Sequence, residues 1–539
     1  MIRHAPLLLI GLAAASPAAA LDLTLLHTYD GQVLDGEYGF ACAVIGDMDG
    51  DGFAEFAIGA NADSTGGRSA GRVFIFRGGD SHLGDPPAWV ITGLPGDLLG
   101  FALAGGGDID ADGRADLLIG APGNTDVVPG AAGRVLIAYG ANPIGSRPLA
   151  SLPGDGPGDR FGTSVALADL DVDGRSEIIA GAPGYHFDSG AVRVFHGGAA
   201  PVTLFTLHAR GDGDEFGTAV AGAGRTRGGP YSDFLVGAPY NSDATTWAGK
   251  AYLYFGGAAP DTVPDREWAG PAPGDLLGSS VAGAGDVNGD GRADMLVGIP
   301  GANNGPTIDT GRAQLYLGAL PPPLMPAFSV LGTVPYGELG LSVAGIGDVN
   351  GDGLADFAIG EPGTPDSFIS GEVRVYLGRT PPWGTQDTTF VGEQLDDMFG
   401  HTISNGGRID AGTRDLFLVG SFDHSRLGRV YLYGRSAPTT AVPIERSASG
   451  VRLLGPRPNP ATVAASFAVD LERSARIDLE IVDLAGRRVA VLANAVLPAG
   501  RHEFSWPARG GDRLPAGVYS AVLRTEGVCQ TRRSVILAR

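Results

Sequence analysis

The sequence predicts an all-β protein: a seven-bladed β-propeller with four-stranded blades, followed by a small β-sandwich. Three observations predict it. Glycine makes up 88 of 539 residues while 43% of the chain is hydrophobic, a composition of many short strands and tight turns rather than of a disordered chain. An aromatic residue or leucine followed by glycine recurs seven times, at Gly39, Gly100, Gly162, Gly217, Gly278, Gly340 and Gly400, with a period of about 60 residues that marks a repeat architecture. After Gly434 the repeat gives way to a different pattern.

Each copy holds four short apolar runs. The first follows the recurring glycine. The second ends in glycine, as in FAIGAN, LLIGAP, IIAGAP, FLVGAP, MLVGIP, FAIGEP and FLVGSF. The third reads GRVFIFRG, GRVLIAYG, AVRVFHGG, GKAYLYFG, GRAQLYLG, GEVRVYLG and GRVYLYG, and a fourth, such as WVITG or FSVLG, leads into the next copy. A lone four-stranded sheet leaves two faces exposed, whereas sheets set around an axis cover one another. A solenoid is the runner-up and predicts capping ends. Instead, LTLLHTYDG (23–31) reads as the fourth strand of a preceding copy, and copy seven stops at YLYG (431–434). The N-terminal strand is therefore expected to complete blade seven and close the ring.

Five copies carry an acidic loop between the first and second strands, with oxygen-bearing side chains at positions i, i+2, i+4 and i+8 and glycine at i+5. They are Asp47, Asp49, Asp51 and Glu55; Asp108, Asp110, Asp112 and Asp116; Asp169, Asp171, Asp173 and Glu177; Asp286, Asn288, Asp290 and Asp294; and Asp348, Asn350, Asp352 and Asp356. The backbone carbonyl at i+6 offers a further oxygen, from Phe53, Arg114, Arg175, Arg292 and Leu354. Hard oxygens converging on a tight loop suit calcium, which takes six to eight of them, better than magnesium, which keeps water and a strict octahedron. An EF-hand needs an acidic twelfth position, and here that position is Ile58, Ile119, Ala180, Val297 or Ile359. Plain Asx turns without metal are the alternative. Five calcium ions are expected rather than seven. Copy four places Arg225 and Arg227 where the first two ligands would stand, so that an arginine could supply the ion's charge. Copy seven, RIDAGTRD, is one residue short. Eighteen carboxylates in the five loops read as lacking bases nearby.

Phe-Gly at the head of the copy, Gly-Ala-Pro after the second strand and the acidic loop between them resemble FG-GAP repeats, over about residues 23–434. The resemblance implies the seven-bladed propeller of integrin alpha subunits, with calcium in loops on the face away from the ligand. The loops after Gly-Ala-Pro and before Phe-Gly then form the binding face. They carry Tyr185, Phe187, Tyr240, Trp247 and Phe368, besides Asn124, Asp188, Asn241 and Asp243, and exposed aromatics beside amides and carboxylates suit a protein or glycan partner. Arg210-Gly211-Asp212 is discounted as a recognition tripeptide, because Gly-Asp recurs at this place as a turn element.

Residues 435–450, rich in Pro and Ser, read as a linker. Beyond it, ASFAVD, RIDLEIVD, HEFSW and VYSAVLR alternate apolar and polar residues, as strands of a sandwich do. GPRPNPATV, IVDLAGRRV and LPAGVYSAVLRTEG resemble the FlgD-type Ig-like fold and the type A sorting domain of type IX secretion, over 451–539. This implies a bacterial export address, with a plain Ig-like spacer as the alternative.

Residues 1–20 have a basic start, an apolar stretch and Ala18-Ala19-Ala20, the pattern of a secretory signal. The expected location is outside the cell, free or attached to the outer bacterial surface, with no transmembrane segment. A net charge of −22 argues against nucleic acid. Cys42 and Cys529 are too few for a disulfide framework and are expected to be buried free thiols, with one long-range bridge as the alternative. No HExxH, Gly-x-Ser-x-Gly or phosphate-binding Gly-rich loop is present. His186, His401 and His424 read as surface or packing residues. The protein is therefore expected to bind rather than catalyse, with an extracellular hydrolase or lyase and a surface-layer component as alternatives.

Overall fold

The computed structural model describes residues 23–209, 211–364, 369–381, 383–412 and 414–435, together with the strands between 451 and 537. The expected signal (1–20) lies outside the described residues. So does the expected linker, apart from Arg435, which belongs to a strand and moves that boundary by one residue. The chain divides into two compact units, Met1–Ser436 and Ala437–Arg539.

The first unit is a seven-bladed propeller, each blade an antiparallel sheet of four strands. Blade one comprises Tyr38–Gly46, Glu55–Ala60, Arg72–Phe76 and Trp89–Thr92; blade two Ala102–Gly107, Asp116–Ala121, Arg134–Ala138 and Ala150–Pro153. Blade three comprises Ser164–Ala168, Glu177–Ala182, Ala191–His196 and Val202–His208; blade four Ala219–Gly224, Asp233–Ala238, Lys250–Tyr254 and Arg266–Ala269. Blade five comprises Val281–Gly285, Asp294–Ile299, Arg312–Tyr316 and Phe328–Leu331; blade six Ser342–Gly347, Asp356–Glu361, Glu372–Tyr376 and Thr388–Val391. Blade seven joins Thr402–Ile403, Phe417–Ser421 and Arg429–Arg435 to the N-terminal strand Leu23–Asp30, which pairs antiparallel with Arg429–Arg435. The ring is closed by the N-terminal strand, as the truncated seventh copy implied. Tyr29 of that strand packs against Phe56 and Phe76 of blade one, ring centres 5.3 and 4.9 Å apart, so the closing strand also joins the core between the last and first blades.

Burial explains the sequence patterns. Second strands lie between two neighbouring sheets, and all six residues of Asp294–Ile299 are buried, which is why these runs are continuously apolar. Fourth strands line the rim and alternate, as Arg266–Ala269 does. The Phe-Gly glycine and the second-strand glycine have one job. A Cβ on the second-strand glycine would lie about 2 Å from the carbonyl oxygen of the Phe-Gly glycine in the next blade: 2.2 Å for Gly59 against Gly100, 1.9 Å for Gly298 against Gly340, and 2.1 Å for Gly420 against Gly39 across the closure. A second ring of contacts is made by hydrogen bonds. The carbonyl at loop position i accepts from the N–H just before the second strand of the next blade, as in Ala115 to Asp47, Ser176 to Asp108, Ala355 to Asp286 and Ala54 to Arg408.

The second unit is described by seven strands in two sheets. Val451–Arg457, Ala464–Leu471 and Gly500–Pro507 form one; Arg488–Leu497, Ala475–Val482, Gly517–Thr525 and Val528–Leu537 form the other. Val469, Leu471 and Trp506 of the first sheet share a buried cluster with Ile477, Leu479 and Ile481 of the second. No helix among the described residues is long and apolar enough to cross a membrane. Cys42 is a free thiol buried in the propeller.

Replacing Gly298 by Ala forces a methyl group into a backbone carbonyl and is expected to cost at least about 3 kcal/mol, in the range of severe steric mutations. Gly257, with nothing within 4 Å of the corresponding position, should accept Ala within about 0.5 kcal/mol. Denaturant melts of the two variants check this. Equal stabilities would show that the blades can move apart to admit the methyl.

Candidate metal centres

Antiparallel blades send the loops between first and second strands to one face and those between second and third strands to the other. The acidic loops lie on the first of these faces. Their shape is set by the chain itself. Asp47 Oδ1 accepts from Gly50 and Asp51 N–H at 2.7 and 3.0 Å, and its Oδ2 from Gly52 N–H at 2.9 Å. Asp286 and Asp348 repeat the pattern in blades five and six. These are Asx turns, and they leave lone pairs on the carboxylates, since each oxygen has two.

The carboxylate at i+8 opens the second strand and is wholly buried in all five loops: Glu55, Asp116, Glu177, Asp294 and Asp356. One oxygen accepts from the N–H at i+1, as for Met48 to Glu55 at 2.7 Å and Val287 to Asp294 at 2.9 Å. In blades one, two, five and six the other turns to the glycine after the third strand, as for Gly140 to Asp116 and Gly378 to Asp356, both 2.7 Å. Burial removes these groups from water and pushes their pKa values up, to about 7 for Glu55, Asp294 and Asp356 and about 6 for Asp116, with the neighbouring loop carboxylates adding to the rise. A desolvated carboxylate beside others is a poor place for a bare charge and a good one for a cation. Donor atoms of Asp47, Asp49 and Glu55, of Asp108, Asp110 and Asp116, and of Asp169, Asp171 and Asp173 already lie within 4.8 Å of one another. The residues present therefore fit a divalent cation.

The expectation that the loops lack nearby bases is wrong in three blades. Arg147, from the loop after the third strand of blade two, bonds Asp110 and, at 2.9 Å, Asp112. Arg77 approaches Asp49 at 3.7 Å. His196 meets Glu177 at 3.0 Å and Asp173 at 3.5 Å. These bases come from the neighbourhood of the third strand, far from the loop in sequence. The position before the glycine after that strand reads Arg77, Tyr139, His196, Phe255, Leu317 and Leu377 in blades one to six, so aligning the third strands reveals two of the three. In blades five and six it is leucine, and Asp294 and Asp356 meet no basic side chain among the described residues.

In blade four, Arg227 bonds the buried Asp233 at 3.0 Å and lies over the Phe255 ring at 4.0 Å. The positive charge comes from Arg227 alone; Arg225 contributes its carbonyl to the blade-five contact. In blade seven Asp415 accepts from Asp348 N–H at 2.9 Å.

The opposite face carries the expected binding residues. Phe187 is 81% exposed, within a turn in which His186, Phe187 and Asp188 all have positive φ. Trp247 is 56% exposed and meets Tyr240 edge-on at 6.2 Å. Tyr185 instead folds back onto His208 at 5.1 Å, and Phe368 lies outside the described residues. Asn241 is buried and bonds Asp214 at 2.8 Å; Asp188 pairs with Arg160, Asp243 with Lys250 and Asn124 with Asp126 N–H, so these polar groups shape the loops. His401 is held between Phe40 and Phe422 and burial pulls its pKa down to about 4. His424 is buried against Asp397 at 3.4 Å. Arg210 is outside the described residues. The turn-forming aspartate of that segment is Asp214, in register with Asp97, Asp159 and Asp275, which accept N–H bonds from the residue three positions back. Asp212 is exposed, so the turn does not explain it.

The FG-GAP repeat family model matches residues 43–76, 99–137, 161–195, 277–316 and 339–377. The chain carries FG-GAP repeats. The five matched segments are the five blades with complete acidic loops; blades four and seven are unmatched. Among curated proteins the chain is similar to human phosphatidylinositol-glycan-specific phospholipase D, 26% identical over 417 residues, covering 66% of this chain and 48% of that protein. It is similar to integrin alpha-PS2 of Drosophila melanogaster, 29% identical over 221 residues, covering 37% and 15%. It is also similar to integrin alpha-4 of Xenopus laevis, 30% identical over 278 residues, covering 49% and 25%. The chain spans about half the length of the phospholipase relatives it matches and less of the integrins.

The raised i+8 pKa values set a pH dependence. Unfolded, these carboxyls lose their protons near pH 4; folded, they keep them to about pH 6–7. The metal-free fold thus binds more protons than the unfolded chain between those limits. Its melting temperature should fall as pH rises from about 5 to 8, and millimolar calcium should flatten the fall. A metal-free melt that does not change over that range would contradict this placement of the carboxylates.

Proposed function

We propose that the chain is an extracellular recognition protein, its propeller fixed by divalent cations on one face and offering the opposite face to a protein or glycan. The observation that carries the cation half is the set of five wholly buried i+8 carboxylates, which Asx turns alone do not require. Calcium is the cation for donor sets made only of oxygen, with one ion per complete loop. In blade two Arg147 has to give way, which makes that site the weakest. At free calcium tenfold above its dissociation constant each ion adds about 1.4 kcal/mol. Five such sites would add about 7 kcal/mol, comparable to the stability of a typical domain.

The exposed Phe187 and the Tyr240–Trp247 pair support recognition on the other face, and the similarity to integrin alpha subunits supports a protein partner. Asp188 and Asp243 on that face are engaged in ion pairs and His401 and His424 in packing, which supports binding rather than catalysis. The C-terminal unit, in this reading, is an Ig-like export address that delivers the propeller to the outer surface of a bacterium.

Metal analysis of the full chain should find close to five divalent cations, and chelation should lower the melting temperature by at least about 10 °C, as a loss of several kcal/mol does. Asp294→Asn with Asp356→Asn should remove two ions. Unchanged melting after chelation would leave the loops as plain turns. Trp247→Ala and Phe187→Ala should each weaken binding to a hit from a glycan array or cell-surface protein panel by tenfold or more, with melting unchanged.

A further inference from the structure

Blade three departs from the other loops at one atom. In blades two, four, five and six an oxygen of the buried second-strand carboxylate accepts from the glycine after the third strand, at 2.7 to 3.0 Å. In blade three the corresponding oxygen, Glu177 Oε1, meets His196 Nδ1 at 3.0 Å. Glu177 Oε2 stays fixed by Leu170 N–H at 2.7 Å. Donor atoms of Asp171, Glu177 and His196 lie within 4.8 Å of one another, with Asp171 Oδ2 4.0 Å from His196 Nδ1. The second ring nitrogen, Nε2, faces Asp173 Oδ2 at 3.5 Å.

This is a mixed nitrogen–oxygen donor set in a family of all-oxygen loops. Calcium takes oxygen ligands, whereas imidazole with carboxylates suits borderline first-row ions of the zinc class. Ligands bound at about 2.0–2.1 Å to a tetrahedral ion lie about 3.3 Å apart, close to the spacing between Nδ1 and Oε1. A metal-bound histidine also needs its other N–H held, commonly by a carboxylate, and Asp173 stands at that nitrogen. We propose that the blade-three loop binds a divalent transition-metal ion of the zinc class through His196 Nδ1, Glu177 and Asp171, with Asp173 as the positioning residue for the imidazole. The inference rests on the reading of the acidic loops as cation sites and changes the ion at one of them.

The competing role for His196 is that of the loop's own cation. Its pKa is raised, first by the hydrogen bond to Glu177, and as imidazolium it would act as Arg227 does in blade four. The two roles separate in one experiment. Tag-free, metal-stripped full chain is titrated with Co2+ in millimolar calcium at pH 7.5, reading visible d–d absorption together with the calcium content and melting temperature. One Co2+ per chain is expected, displaced by Zn2+ and not by calcium. His196→Leu copies the residue of blades five and six and should abolish the absorption while gaining one calcium. His196→Gln, a polar control for the fold, should lose the absorption as well. Asp173→Asn should weaken Co2+ by about tenfold. Calcium stabilisation without Co2+ absorption in the unaltered chain overturns this inference and leaves the calcium reading intact. Co2+ bound equally by the His196 variants also overturns it, by placing the ion elsewhere. Neither ion bound defeats the loop reading itself.

Discussion

Two backbone segments from adjacent blades meet where only glycine fits. The second-strand glycine of each blade sits against the carbonyl of the Phe-Gly glycine of the next, at a distance that no Cβ could occupy. That approach sets the spacing between sheets, and the rest follows from the spacing. It brings the apolar second strands under cover on both faces. It also carries each acidic loop close enough to its neighbour for the carbonyl at position i to accept a hydrogen bond from the next blade. The constraint is repeated seven times and crosses the closure between blades seven and one, so the ring holds itself in register without a covalent link.

The same packing creates the electrostatic problem at the loops. A strand buried from its first residue buries whatever that residue is, and in six blades it is a carboxylate. Backbone N–H groups satisfy its hydrogen bonds but do not cancel its charge. The chain answers differently around the ring: Arg227 in blade four, Arg147 leaning into blade two, His196 in blade three, and in blades five and six no basic side chain against Asp294 or Asp356 among the described residues. The seven blades share one backbone solution and differ in where the positive charge comes from.

Much of the fold was legible in the sequence because the signals were steric and repeated. Glycine, continuous apolar runs and the unpaired N-terminal strand each point to a geometric need, and seven copies in register remove the ambiguity of one. The acidic loops were legible for the same reason. What escaped the reading were charges arriving from elsewhere: Arg147 and Arg77 reach the loops from beyond the third strand and His196 from its last residue, and the spacing within the acidic loop carries no trace of them. The polar residues of the opposite face also make contacts that the sequence does not show. Asn241 and Asp243 look like ligand contacts in sequence, yet Asn241 fastens one loop to Asp214 and Asp243 pairs with Lys250. The turn aspartate was misassigned by two residues, since Gly-Asp occurs twice in that segment and only Asp214 keeps the register.

The closing strand pair has a mechanical consequence. Leu23 is the register partner of Arg435, and Asp30 of Arg429, so where the chain enters and leaves the propeller lies at the same end of one antiparallel pair. Tension between those points loads the pair's hydrogen bonds one after another, as in opening a zipper, rather than all together in shear. The ring therefore has a weakest seam, at the strand that closes it. A pull on the chain opens blade seven before it disturbs the six blades whose strands are continuous in sequence.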